Sequence, residues 1–245
     1  MKVEKLVMKV PWENVGNVEF IMEQFPGLKS LTLILLRRLP YNYKLSLDLC
    51  PQLVELDLRR VYHYEEDNSG FCNLMRSLKR GLRCLKFPER HRFRAVELQS
   101  IVECHSHTLQ YLCFTDDAYE TAAYSAVDIV ELINGLTLLH TLHLSITALH
   151  SIQAQKGQIT SNRISHLLVD FDGSIGTNFP CLDGIFPAIT KLCLRWASAD
   201  SIIADIIYFL EHHPLLTIIC INDEKLRRKF RAMLPHIQVL DYESI

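Results

Sequence analysis

Along this chain apolar residues recur at positions 1, 4 and 6 of a unit that returns about every 26 residues. The first five triplets are Val3-Leu6-Met8, Leu28-Leu31-Leu33, Leu53-Leu56-Leu58, Leu82-Leu85-Phe87 and Leu109-Leu112-Phe114. The next five are Leu139-Leu142-Leu144, Ile164-Leu167-Val169, Ile189-Leu192-Leu194, Leu215-Ile218-Cys220 and Ile237-Leu240-Tyr242. Strand side chains alternate between faces, so apolar fourth and sixth positions mark a strand with one buried side. Positions three, five and seven then face outward. A single triplet means little in a leucine-rich chain. Ten in near-register predict ten strands.

Proline keeps time with the triplets. Pro26, Pro51, Pro187 and Pro235 each stand two residues ahead of one, and Pro214 one ahead. Proline ends a helix and pushes its predecessor toward extended backbone, so it closes one element and launches the next. Between triplets the pattern predicts helices over 17–25, 94–104, 121–134, 200–212 and 223–234, with Asp200 as the cap of the fourth. Segments 41–50 and 146–163 lack that pattern and predict irregular connections. Strand, crossover and strand at this period predict a right-handed solenoid with a parallel sheet on one face.

The segments FPGLKSLTL (25–33), CPQLVELDL (50–58) and FPAITKLCL (186–194) resemble the leucine-rich repeats of F-box/LRR proteins, and the resemblance covers residues 3–242. It implies an α/β horseshoe of about ten irregular repeats of about 26 residues, one domain over 1–245, with the sheet on the concave face. The ninth repeat position departs from the family's Asn or Cys, being Asp at 117, 172 and 223 and neither residue elsewhere. The resemblance also implies a function: the substrate-recognition half of an F-box-type (SCF) ubiquitin ligase receptor. A Skp-type adaptor follows as partner only if an F-box is supplied outside this chain. The alternative is a free-standing LRR scaffold or inhibitor.

Composition narrows the classes. Lys and Arg number 26 against 28 Asp and Glu, a net charge of −2, so no general attraction for nucleic acid is expected. Apolar residues make up 49%, and no apolar run approaches the 18 residues of a membrane span, so a membrane partner is not expected. The eight cysteines include no C-x-x-C pair. Reduced thiols in a cytoplasmic or nuclear protein are the expectation.

Chemistry on such a frame lies on the concave side. There Tyr111, His143, His166, Lys191 and Arg195, with Trp196 just beyond, form the candidate protein-binding patch. Tyr, Trp and Arg anchor interfaces because they bury area while keeping a polar handle. The stretch 76–94 sets eight cationic residues against Glu89, so Arg83, Lys86, Arg90, Arg92 and Arg94 form a second candidate patch. A further basic run, 225–231, fits nuclear import or a solvated helix face.

Enzymatic readings fare worse. Cys113 and His143 hold the same position in successive repeats, yet no orienting carboxylate is evident for a nucleophile and base. The Cys104-His105-Ser106-His107 run suits a helix C-terminus better than a metal site. No Gly-rich phosphate loop is present. The expectation is a binding protein, not an enzyme, with no cofactor or metal.

Overall fold

The computed structural model describes residues 3–10, 17–35, 49–59, 69–78, 81–87, 95–115, 126–153, 159, 163–171, 179, 182, 184–195 and 203–242. It divides into two compact units, the first formed by residues 1–116 and 135–138, the second by 117–134 and 139–245.

The first unit runs β1 (Lys5–Val10), α1 (Asn17–Glu23), β2 (Ser30–Leu35), β3 (Glu55–Arg59), α2 (Ser69–Ser77), β4 (Cys84–Phe87), α3 (Ala95–His105) and β5 (Tyr111–Phe114). Its strands pair in chain order and in parallel, with Leu6, Leu31, Leu56, Leu85 and Leu112 in one register row. From β2 to β5 the fourth and sixth triplet residues, Leu31 to Phe114, are at most 3% exposed. Leu6 and Met8 on β1 are half-buried.

Each strand is keyed to its predecessor by one carbonyl that accepts two amides. Glu4 O takes Lys29 N and Ser30 N at 2.9 and 3.0 Å, and Lys29 O, Val54 O and Arg83 O repeat the device. The prolines sit inside the turns that lead into the strands. Leu28 N donates to Phe25 O and Leu53 N to Cys50 O, which places Pro26 and Pro51 second in a four-residue turn, the position their fixed φ favours. Gly81 is held at φ 94°, and a Cβ there would meet Thr108 Cγ2 at 2.6 Å, so only glycine fits this approach to β4.

The second unit runs α4 (Ala126–Gly135, Gly135 itself falling in the first unit), β6 (Thr141–Ser145), α5 (Ile146–Gln153), β7 (His166–Asp170), β8 (Lys191–Arg195), α6 (Ile203–His212), β9 (Ile218–Ile221), α7 (Glu224–Met233) and β10 (Gln238–Asp241). Its five strands are again parallel and in chain order. Leu142, Leu144, Leu167, Val169, Leu192 and Leu194 are fully buried.

Two expectations fail here by one residue. Ile219 pairs with Leu192 and Ile221 with Leu194, so the ninth triplet is Leu216-Ile219-Ile221 and not Leu215-Ile218-Cys220. Leu216 is 4% exposed and Leu215 55%. On β10, Val239 pairs with Ile219 and faces the core, while Leu240 pairs with Cys220 and turns outward. A one-residue slip moves a whole strand's side chains to the opposite face. Ile218 and Cys220 therefore lie on the outer side, and Val239 and Asp241 on the core side.

The helices also add to the expectation. α5 forms where an irregular connection was expected, because Ser145 Oγ, at the end of β6, accepts from Ala148 N at 3.2 Å and caps the helix directly. Ile146, Leu149 and Ile152 then bury at helical spacing. α2 lies outside the expected stretches, although Phe71, Leu74, Met75 and Leu78 bury with the same period. The cap expected at Asp200 lies outside the described residues. Asp223 caps α7, its carboxylate accepting from Leu226 N at 2.8 Å.

Among the described residues no helix is long and apolar enough to cross a membrane, and Cys50, Cys72, Cys84, Cys104, Cys113, Cys193 and Cys220 are free thiols.

Candidate functional site

The outer side of the first unit is a groove of about 160 Å³ lined by residues of β1 to β4. Strand register builds it in rows. Lys5, Ser30, Glu55, Cys84 and Tyr111 form one; Val7, Thr32, Asp57, Lys86 and Cys113 form the next. Acid therefore sits in the middle, with lysines on both flanks.

Arg59 grips Asp57 Oδ2 through Nε at 3.1 Å and Nη2 at 2.9 Å. Asp57 Oδ1 is buried and has no hydrogen-bond partner among the described residues. An acceptor in that state favours a donor brought by a ligand. Lys86 Nζ stands 5.1 Å above the Tyr111 ring, a cation–π contact that holds both side chains at the groove's far end. Burial pushes the Cys84 thiol up to about 11 despite Lys86 beside it, so this cysteine is protonated at neutral pH and no nucleophile.

The outer side of the second unit is partly filled by its own polar side chains. His143 Nε2 donates to Asp170 Oδ1 at 2.9 Å, and both side chains are nearly buried. Arg195 Nη1 reaches Asp170 Oδ2 at 3.4 Å. Tyr242 completes the group with a hydrogen bond to Arg195, and its phenol is pushed up to about 12, chiefly by burial and then by the Asp170 charge. Beside them Cys193 and Cys220 face each other across β8 and β9, both fully buried. The hydrogen bond with Cys220, reinforced by burial, pushes the Cys193 thiol up.

The sequence-derived patch is thus divided. Tyr111, half-buried, belongs to the first unit, whereas His143, His166, Lys191 and Arg195 belong to the second. His143, expected on an open surface, is 5% exposed and tied to Asp170. His166 and Lys191 are half-buried neighbours in register, and Arg195 is held by Asp170. Trp196 lies outside the described residues. Of the basic patch, Arg83 is exposed and Lys86 lines the groove, while Arg90, Arg92 and Arg94 lie outside the described residues.

The basic run 225–231 is partly absorbed by the fold. Arg227, 8% exposed, donates to Ile221 O at 2.7 Å and pairs with Asp241 at 2.9 Å, and Arg231 donates to Val239 O. His105, read as a helix-end cation, is buried, and burial lowers its pKa to about 4, so it is neutral.

Sequence reasoning passed over Lys5, Glu55, Asp57 and Arg59 as site residues, and it found no carboxylate for His143. Asp170 supplies one from the next strand, two positions along the same face. That diagonal offset is the signal that could have found it. A comparison with family models and with curated proteins finds no match for this chain.

Proposed function

We propose that the chain is a protein-binding module: a right-handed leucine-rich-repeat horseshoe of about ten repeats, one domain over 1–245, that holds a partner on its concave sheet and catalyses nothing. The observation that carries this reading is the first unit's groove, with Asp57 Oδ1 buried and unpartnered between flanking lysines. Mixed charge around a central acceptor suits an extended protein segment that brings a donor to Asp57 and acids to Lys5 and Lys86. Tyr111, steadied by Lys86, is the aromatic anchor at its end.

The F-box/LRR-like segments support a finer reading, in which the bound protein is a substrate presented to a ubiquitin ligase in the cytoplasm or nucleus. Quantitative pull-down of the full natural protein tests both levels. Lys86→Glu and Tyr111→Ala should each reduce recovery of the partner at least tenfold with the fold intact by circular dichroism. Unchanged recovery in both variants would remove the groove from the reading. Recovery of a Skp-type adaptor with the partner supports the ligase reading; a partner without adaptor makes the chain a free-standing scaffold or inhibitor.

A further inference from the structure

At the edge of the second unit's outer side, where β6, β7 and β8 begin, Thr141, His166 and Lys191 stand in one register row. His140, one residue ahead of β6, joins them from the exposed rim. Both imidazoles turn Nδ1 toward one hydroxyl: His140 Nδ1 lies 2.9 Å from Thr141 Oγ1 and His166 Nδ1 3.4 Å from it. The rings meet edge to face at 6.2 Å between centroids. Thr141 is 7% exposed, so the oxygen that orients both rings is itself fixed.

We propose that this edge is a docking point for the carboxylate of an acidic peptide segment in a partner protein. The proposal rests on the reading of the chain as a protein-binding module, but it uses the other unit and none of the groove residues. With both Nδ1 atoms engaged by Thr141, each ring has only Nε2 left to offer a ligand. Lys191 adds a permanent ammonium beside His166. The charges acting on His166 are Lys191 on β8 and His140 ahead of β6, and together with burial, the largest cause, they lower its proton affinity. An approaching carboxylate reverses that balance: it neutralises Lys191 and favours an imidazolium that donates from Nε2.

Two alternatives fit less well. A metal cation would meet the Lys191 charge, and no group of three or more His, Cys, Asp or Glu that could hold one exists among the described residues. A phosphoryl group is most often gripped by a guanidinium fork, whereas the permanent charge here is a single ammonium, which matches one carboxylate.

The test is fluorescence anisotropy with the full chain and three labelled peptides, one Glu-rich, one phosphoserine and one Lys-rich, with inorganic phosphate as competitor. The Glu-rich peptide should bind, at least threefold more tightly at pH 6 than at pH 8, because binding takes up a proton at His166. Lys191→Ala and His166→Gln should each weaken it about five- to tenfold, and His166→Gln should flatten the pH dependence. Lys86→Glu in the groove should leave it unchanged. A pH-independent affinity unmoved by Lys191→Ala would overturn the proposal. So would binding of the phosphoserine peptide alone, or displacement by phosphate at the peptide's own concentration. If the edge variants are silent while Lys86→Glu abolishes partner capture, the docking edge falls and the binding-module reading stands. The opposite pattern removes the groove and keeps the edge.

Discussion

On the outer side of the first unit Lys5, Lys9, Glu55 and Arg59 stand in water and Val7 is 57% exposed. On the outer side of the second, His143, Ser145, Asp170, Cys193 and Cys220 are all buried. The core sides of the two units obey the same rule of apolar fourth and sixth positions, so alternation alone cannot account for the contrast. The first unit's outer charges are answered mostly by solvent and by short local pairs such as Arg59–Asp57. The second unit's are answered by one another across β6, β7 and β8, with Tyr242 laid against them from the end of β10. One face therefore leaves charged side chains open to solvent, and much of the other is occupied by its own side chains, with His140 exposed at its edge.

The sharpest way to break this contrast is to remove one aspartate from each face. Asp170→Ala removes the carboxylate that His143 and Arg195 share in a nearly buried setting, and breaking a buried pair of this kind should cost about 3–5 kcal/mol of stability. Urea denaturation followed by circular dichroism measures it. A loss under 1 kcal/mol would show that the second face is wetter than its geometry implies.

The core sides should answer alike. Leu142→Ala in the second unit and Leu56→Ala in the first each empty a fully buried site, and each should destabilise by about 2–5 kcal/mol. A clear mismatch between the two in the same denaturation experiment would mean that the units differ in packing as well as in surface.

That equality is also what made the core legible from sequence. Where polar and apolar residues alternate, as in TLHLS (141–145), the pattern fixes strand, face and register together. It failed at LLTIICI (215–221), where every other reading frame is equally apolar. Proline spacing held the answer: Pro214 stands two residues before Leu216, as Pro26 and Pro51 do before Leu28 and Leu53, and Leu216 N donates to His213 O as those turns require. On β10 the chain has one residue fewer between turn and strand, and Ile237, Val239 and Leu240 are too alike to betray it. The burial of His143 was harder to read for another reason. Strand register points to Asp170 alone, 27 positions away, whereas Arg195 and Tyr242, which complete the group, lie 52 and 99 positions away and share no row with His143.

Acid should open the first unit through a group its surface never shows. His105 is fully buried at the end of α3, with neither ring nitrogen hydrogen-bonded among the described residues, and burial lowers its pKa from 6.5 to about 4. Above pH 6.5 folded and unfolded chains both carry it neutral, and it has no effect. Between 6.5 and 4 the unfolded chain binds a proton that the fold refuses, so stability falls as pH falls. Below 4 the full loss of about 3 kcal/mol is reached. Denaturation midpoints of the native chain and His105→Leu should converge at pH 7 and separate by pH 4.5. Parallel curves would show that His105 gains a proton without strain.

The smallest effect belongs to the counterpart of Asp170 on the open face. Asp57 holds Arg59 at 2.9 Å, but the Arg59 side chain is 46% exposed, and an ion pair so open to water is worth about 0.2–1 kcal/mol. Removing it also removes the one buried acceptor the groove leaves unpartnered, which offsets part of that loss. Asp57→Ala should therefore shift stability by less than about 1 kcal/mol in the same urea experiment that registers several for Asp170→Ala. Its larger signature is in binding, where a partner that donates to Asp57 should be held about tenfold less tightly. If Asp57→Ala instead costs as much stability as Asp170→Ala, the groove is a sealed structural network like its counterpart. The division between an open face and an occupied one would then be lost.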